Sequence, residues 1–254
     1  MQVAKRTITA LATAAAAVCA LLYIPLSCLK PVLIVLAALV QLEFSQMVSR
    51  KYPVMVWPGV AAGVLYLTSS LYFYDTGFPV IVFALGLFAL FGKMDRPVAA
   101  WATTLLGFIY IPVMMEYFVL IPQKYGMLML LYVIAITKIS DMGGFAFGLM
   151  FGKHKMCPSI SPKKSWEGMA GSIFGSCLIS CLFMPLTYFG FARSLAFGVA
   201  AAVCGTLGDL VESRLKRECG VKDSATFMPA GLGGFLDMFD SLLFAPALFA
   251  HFLG

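Results

Sequence analysis

This chain has very little charge. Only 12% of its 254 residues are Asp, Glu, Lys or Arg, where about 25% is usual for a soluble domain. With 61% hydrophobic residues and a mean hydropathy of +0.92, the composition excludes a compact soluble core and is that of a polytopic membrane protein. The seven Cys include no CxxC pair and no zinc spacing, and their odd number argues against a disulfide scaffold, so they read as small buried hydrophobes. The two His, His154 and His251, read as one cation among several in a loop and one interface residue. There is no repeat at a fixed period and no linker-like break in composition. The chain is therefore read as a single domain, with 1–121 a plain helical scaffold and 122–254 the half that carries polar chemistry. The net charge of +6 does not imply nucleic acid, because the basic residues lie in short loops between apolar runs and form no basic face.

Spans of about 20 apolar residues are needed to cross a bilayer. Nine are expected, at 8–26, 31–49, 54–74, 77–92, 98–121, 125–151, 169–190, 194–212 and 235–253. The fold class is thus an all-α, polytopic helical bundle. Lys5 and Arg6 followed by the apolar stretch Ile8 to Ile24 mimic a signal peptide. The stretch lacks a clean cleavage context and Pro25-Leu-Ser-Cys28 is a poor lipoprotein box, so the segment is read as a retained first helix. Of the 18 Lys and Arg, all but Lys30, Lys124, Arg193 and the intramembrane Lys138 fall on one side of these spans. The positive-inside rule then gives an N-in, C-out topology. It places loops 152–168 and 213–234 in the cytoplasm, and the chain in a bacterial inner membrane.

Three constellations stand out. In the first, Lys138 and Asp141 are three apart on the sixth span and either neutralise one another or place Asp141 in a site. Gly144, Gly148 and Gly152 follow at four-residue spacing, which lines one helix face with backbone for close packing and also leaves room for a homodimer. The second is the loop Ser161-Pro-Lys-Lys-Ser-Trp-Glu-Gly168. Its adjacent Lys163 and Lys164, beside the Ser165 hydroxyl, suit a polyphosphate or an anionic lipid head as well as a positive-inside anchor. Trp166 belongs at the interface. In the third, Asp209, Glu212 and Lys216 fall on one helical face, as do Asp237 and Asp240. Acids at this depth cost about 2.5–3.5 kcal/mol each at a helix centre. They read either as intramembrane ion pairs or as a magnesium site, since Mg2+ prefers carboxylates together with substrate phosphates. Two carboxylate pairs can make a two-metal site. Between them lies Pro229-Ala-Gly-Leu-Gly-Gly234, a Gly-rich loop whose backbone N–H groups can approach phosphate. Glu43 and Glu116, in otherwise plain spans, read as structural or interfacial.

Residues 141–254 resemble the phosphatidate cytidylyltransferases, or CDP-diacylglycerol synthases. Asp141 to Lys153 looks like the family's Asp and Gly-x-x-x-Gly-Lys region, and Ser161 to Gly168 matches its Ser-Pro-Lys-Lys-Thr/Ser-Trp-Glu-Gly. Ser213, Lys216, Arg217, Lys222, Asp223, Pro229, Gly233, Gly234, Asp237, Asp240 and Ser241 stand where the long C-terminal signature asks. Three departures are visible. The usual Pro-Gly-His-Gly-Gly is one residue longer here and lacks its His, Met238 replaces an Arg, and Lys138 precedes the Asp.

The resemblance implies cytidylyl transfer from CTP to phosphatidic acid, giving CDP-diacylglycerol and pyrophosphate for phospholipid synthesis. On that reading Asp209, Glu212, Asp237 and Asp240 hold Mg2+, with a second cation site that is divalent or monovalent. Lys216, Arg217 and Lys222 hold CTP phosphates or the departing pyrophosphate. Lys163, Lys164, Ser165, Ser213, Asp223, Gly233, Gly234 and Asp141 complete the substrate site. Two other classes stay open. A CTP-dependent kinase of a polyprenol-type lipid would release CDP in place of pyrophosphate. An ion-coupled transporter would also bury acids, but the plain first half offers no matching site of the kind inverted repeats give.

Overall fold

The computed structural model describes residues 25–69, 77–222, 224 and 234–253. Expectations that fall elsewhere, among them most of the first span, Asp223, Gly233 and the loop from Pro229 onward to Gly233, lie outside the described residues. The helices are α1 Leu26–Ser49, α2 Val56–Ser69, α3 Gly77–Phe91, α4 Pro97–Phe108, α5 Met114–Tyr125, α6 Met127–Phe151, α7 Trp166–Leu182, α8 Met184–Thr187, α9 Phe191–Glu218, α10 Phe235–Phe239 and α11 Phe244–Leu253. Five stretches are long and apolar enough to cross a membrane: Leu26–Ser49, Pro97–Tyr125, Met127–Phe151, Phe191–Glu218 and Phe235–Leu253. The apolar α2, α3 and α7 are shorter. The molecule is a mostly helical, multi-pass membrane protein.

The helices sort their faces as a bundle in lipid must. In α1, Leu29, Leu33, Ala37, Val40, Phe44 and Met47 recur every three or four residues and are buried, while Val32 and Val35 on the other side are exposed. Phe83, Phe91, Leu149 and Phe174 are also more than 60% exposed. Such a continuous apolar exterior would aggregate in water and is satisfied by hydrocarbon.

One expectation is corrected, and two of the expected spans carry local breaks. The fold is not purely α, because the 152–168 loop holds a hairpin. Lys155–Cys157 (β1) and Ser161–Ser165 (β2) pair antiparallel across a turn. Pro158 and Pro162 disfavour a helix here, and a short hairpin satisfies the backbone groups instead. The 98–121 span is not uniform either: α4 and α5 join through a π-helical turn at Ile109–Val113 that contains Pro112. Proline has no N–H and its ring clashes with the carbonyl four residues back, which the wider turn avoids. Gly63 of α2 makes room for that proline, since a Cβ there would lie 2.6 Å from Pro112 Cγ. The last span breaks at residues 240–243, between α10 and α11, which frees Asp240 and Ser241 from a continuous helix.

The glycine repeat acts within the chain. A Cβ at Gly143 would sit 2.4 Å from Gly171 O, one at Gly144 2.3 Å from Ser172 Oγ, and one at Gly168 2.9 Å from Gly144 O. The α6 face that left room for a homodimer is therefore occupied by α7, at backbone-to-backbone distance. Serines of α7 tie it in turn to α9: Ser176 Oγ donates to Gly198 O at 2.7 Å and Ser180 Oγ to Ser194 O at 2.6 Å.

Two ties define opposite ends of the bundle. Lys51 Nζ and Tyr52 Oη donate to Glu218 Oε1 at 2.5 and 2.7 Å, joining the ends of α1 and α9. Hydrogen bonding to Glu218 also raises the Lys51 ammonium above its ordinary pKa of 10.5. At the other end, Arg193 Nη2 donates to Phe252 O at 3.1 Å, joining the start of α9 to the end of α11.

Candidate functional site

The polar residues of the second half converge on one cavity of about 430 Å³ between α6, the hairpin, α7, α9 and α10. Each element contributes for a local reason. Lys138 and Asp141 lie on the same face of α6, with Nζ 3.6 Å from Oδ2. Ser241, freed by the break after α10, donates through Oγ to Asp141 Oδ2 at 2.8 Å and accepts from Lys138 Nζ at 3.2 Å. Lys138 also donates to Met238 O at 3.3 Å. The two charges are paired, and both residues line the cavity.

The hairpin turns Lys164 inward and leaves Lys163 exposed at the cavity rim. Lys164 is only 18% exposed, with Nζ 2.8 Å from Asp209 Oδ2 and donating to Thr206 O at 2.8 Å. Lys163 also lines the cavity. Ser165 caps α7 by accepting from Gly168 N at 3.1 Å. On the next residues, Trp166 is exposed, whereas Glu167 Oε1 lies 2.6 Å from His154 Nδ1 and accepts from His154 N. Those hydrogen bonds hold the Glu167 carboxyl down at about 2. They close the base of the hairpin.

Four of the acids divide into two groups. Asp209 and Glu212 on α9 and Asp240 after α10 have carboxylate oxygens within 4.8 Å of one another, an arrangement that can hold a metal ion. Glu212 is fully buried. Neither of its oxygens has a well-directed hydrogen-bond donor among the described residues, although Lys216 Nζ stands 2.6 Å from Oε2. Lys216 supplies one positive charge to this buried carboxylate, and the three carboxylates together offer the hard oxygen donors that a hard cation takes. Asp237 differs. Its Oδ1 lies 2.6 Å from Lys216 Nζ, while Oδ2 accepts from Gly234 N at 2.7 Å and Ser224 N at 3.3 Å. It is a helix-capping and ion-pairing acid at the cavity wall. The spacing that paired Asp237 with Asp240 on one face therefore brings only Asp240 to Asp209 and Glu212, because the chain leaves the helix after Phe239.

The remaining expected residues are placed less centrally. Ser213 Oγ donates to Asp209 Oδ1 at 3.2 Å, orienting it. Lys216 is committed to Glu212 and Asp237. Arg217 donates to Val221 O at 3.4 Å and, like Lys222, does not line the cavity. Gly234 is the N-cap of α10.

Sequence reading missed Thr206 and Ser172 as part of the wall, and named Ser241 only as a motif position. Thr206 and Ser172 stand one helical turn from Asp209 and Gly168, which was the available signal. It also gave no reason to connect Glu43 with this region. Glu43 is fully buried on α1, and its Oε2 accepts from Leu236 N at 3.1 Å. Its partner lies 193 positions away, so no local pattern could reveal it.

Comparison with known proteins agrees with this geometry. The profile of the family described as "Cytidylyltransferase family" matches residues 4–254. A phosphatidate cytidylyltransferase of Haemophilus influenzae is 40% identical over 134 residues, covering 50% of this chain and 46% of that protein. One of Staphylococcus aureus is 42% identical over 121 residues, 47% of this chain and 46% of that protein. One of Mycobacterium bovis is 45% identical over 107 residues, 41% of this chain and 34% of that protein. The matched parts thus span about half the length of these curated relatives, or less. A profile match over nearly the whole chain, together with a cavity built from the motif residues, places the chain in the cytidylyltransferase family.

Proposed function

We propose that this chain transfers the cytidylyl group of CTP to phosphatidic acid, releasing pyrophosphate and leaving CDP-diacylglycerol in the membrane. The observation that carries the reading is a single cavity in which Lys138, Lys163 and Lys164 face Asp209 and Asp240, set in helices whose outer surface is apolar. Such a site can meet a water-borne nucleotide and a lipid phosphate together. The names of the relatives point the same way.

The chemistry needs little from the protein beyond position and charge. An oxygen of the phosphatidate phosphate bonds to the α-phosphorus of CTP. The bond from that phosphorus to the bridging oxygen breaks, and pyrophosphate leaves with the electron pair. A phosphate monoester is largely dianionic near neutrality, so no general base is required. Lys163 and Lys164 neutralise and orient phosphates, with Lys164 exchanging Asp209 for substrate oxygen. Lys138 balances Asp141 on the lipid phosphate side. Lys216 fixes Glu212 and Asp237, and Asp237 holds the start of α10. Arg217 and Lys222 serve the nucleotide, as do Asp223 and Gly233 by their places in the sequence motif.

Asp209, Glu212 and Asp240 would hold Mg2+, with Asp237 beside them for a second cation. When bound, Mg2+ supplies neutralisation of the phosphate charge that builds up during transfer. Without added positive charge, carboxylates this close would repel a triphosphate. The chain is one domain in this reading, N-in and C-out, with the cavity opening to the cytoplasm. The ties from Lys51 to Glu218 and from Lys164 to Asp209 put the basic segments at one end of the bundle, which favours that orientation.

Purified protein in detergent, given phosphatidate, Mg2+ and CTP labelled at the α-phosphorus, should yield labelled lipid and pyrophosphate. Label in the lipid only from γ-labelled CTP, with release of CDP, would replace this reading by the lipid kinase. Asp240→Asn should stay folded and membrane-inserted and lose turnover by about 100-fold or more; near-normal activity would remove the metal-site assignment.

A further inference from the structure

We infer that Glu43, on the first described helix and outside the cavity wall, is a positioning residue for the acidic site: it fixes the start of α10 and through it the placement of Asp240.

Glu43 is fully buried and its Oε2 accepts from the N–H of Leu236 at 3.1 Å. A charged acceptor at this N–H makes a stronger and more directional bond than a neutral one. The same oxygen crowds Gly234, where a Cβ would fall 2.6 Å from Glu43 Oε2 and 2.2 Å from Ser224 Oγ. Only a bare Cα allows the chain to pass between the two. Asp237 Oδ2 then closes on Gly234 N and Ser224 N. Leu236 itself is fully buried in the main apolar core. Phe239 packs edge-on against Phe118 of α5 at 6.2 Å.

Asp240 follows immediately, after a helix only five residues long. Its position is therefore set by the anchor at the other end of that helix. A one-turn element has no stability of its own, so contacts from outside must hold it. Leu236 could be held by packing alone, and burying a carboxylate to hold it is costly. The cost is accounted for if the angle at which α10 enters the site matters. The inference rests on the assignment of Asp240 to the cation site.

The test uses full-length protein with two readouts, Mn2+ binding followed by electron paramagnetic resonance and steady-state turnover with CTP and phosphatidate. Glu43→Ala should weaken Mn2+ binding and lower kcat by about 100-fold, the size expected for a displacement of about 1 Å at a site. The KM for CTP should stay within about threefold, since Glu43 touches no substrate. Glu43→Gln keeps an acceptor for Leu236 N–H and should recover most of both signals. Gly234→Ala disturbs the same junction from the other side without exposing or removing a charge, and should reproduce the Glu43→Ala losses even if that variant fails to fold. Folded Glu43→Ala or Gly234→Ala protein with wild-type Mn2+ affinity and kcat would overturn the inference. Wild-type protein that binds Mn2+ but makes no CDP-diacylglycerol would remove the transferase reading alone, and loss of Mn2+ binding in the variants would then still support the role of Glu43.

Discussion

The lysines near the cavity hold different posts despite similar sequence surroundings. Lys164 is turned inward by the hairpin and bridges Asp209 to a backbone carbonyl of the same helix. Lys216 is enclosed by two acids and is nearly buried. Lys164→Ala should therefore raise the KM for CTP about tenfold, the cost of one charge-assisted hydrogen bond, while the protein stays folded. Steady-state kinetics with varied CTP measure this. Lys216→Ala should instead lower the thermal unfolding midpoint, because it leaves Glu212 buried beside Asp237 with no cation. Glu167 carries a pH signature. Its carboxyl ionises at about 2 in the folded protein, against an ordinary value of 4.5, because His154 hydrogen-bonds to it. A depressed acid stabilises the fold fully above its ordinary pKa and loses that contribution as pH falls toward the folded value. The melting-temperature gap between wild type and Glu167→Gln should shrink as pH falls below about 5.

At the scale of elements, the contact between α6 and α7 organises the site. Glycines on both helices allow backbone contact, and the polar face of α6 is thereby set against the hairpin and α9. Gly143→Ala places a methyl 2.4 Å from Gly171 O, and overpacking of this kind costs about 1–3 kcal/mol. Gly190→Ala, with nothing within 4 Å of the added carbon, is the control. The first should lower the unfolding midpoint in detergent and the second leave it nearly unchanged. The glycine spacing was legible in the sequence, but its partner was not. A small-residue face is the same whether it meets a second copy or the next helix. The hairpin was read as a loop because strands this short carry no periodic signal, while the prolines that exclude a helix were plain to see.

At the scale of the whole molecule, Lys51 meets Glu218 at one end of α9 and Arg193 meets Phe252 at the other, and the proposed topology puts the first end in the cytoplasm. In a cysteine-free background, a cysteine at Tyr188, which is 92% exposed, should react with an impermeant maleimide added outside intact cells. A cysteine at Lys155 should react only after permeabilisation. The reverse pattern would invert the proposed topology. Most of the scaffold's relation to the site appears only at this scale, since Glu43 of α1 meets Leu236, and Lys51 meets Glu218, across more than half the chain.

The sequence by itself determined that the chain is a helical membrane protein and which acids and lysines form the polar inventory, while of the nine expected spans five are long and apolar enough to cross a membrane among the described residues. Composition and positive-inside bias are sums over residues, and short motifs are local, so neither needs a fold. The tertiary structure decided which of those charges meet. It placed Asp240 with Asp209 and Glu212, gave Asp237 to Lys216, spent the glycines on α7, and brought Glu43 to α10. Each of these depends on a break or a crossing that joins residues far apart in the chain, and the geometry of such a meeting is written in packing and not in any window of sequence.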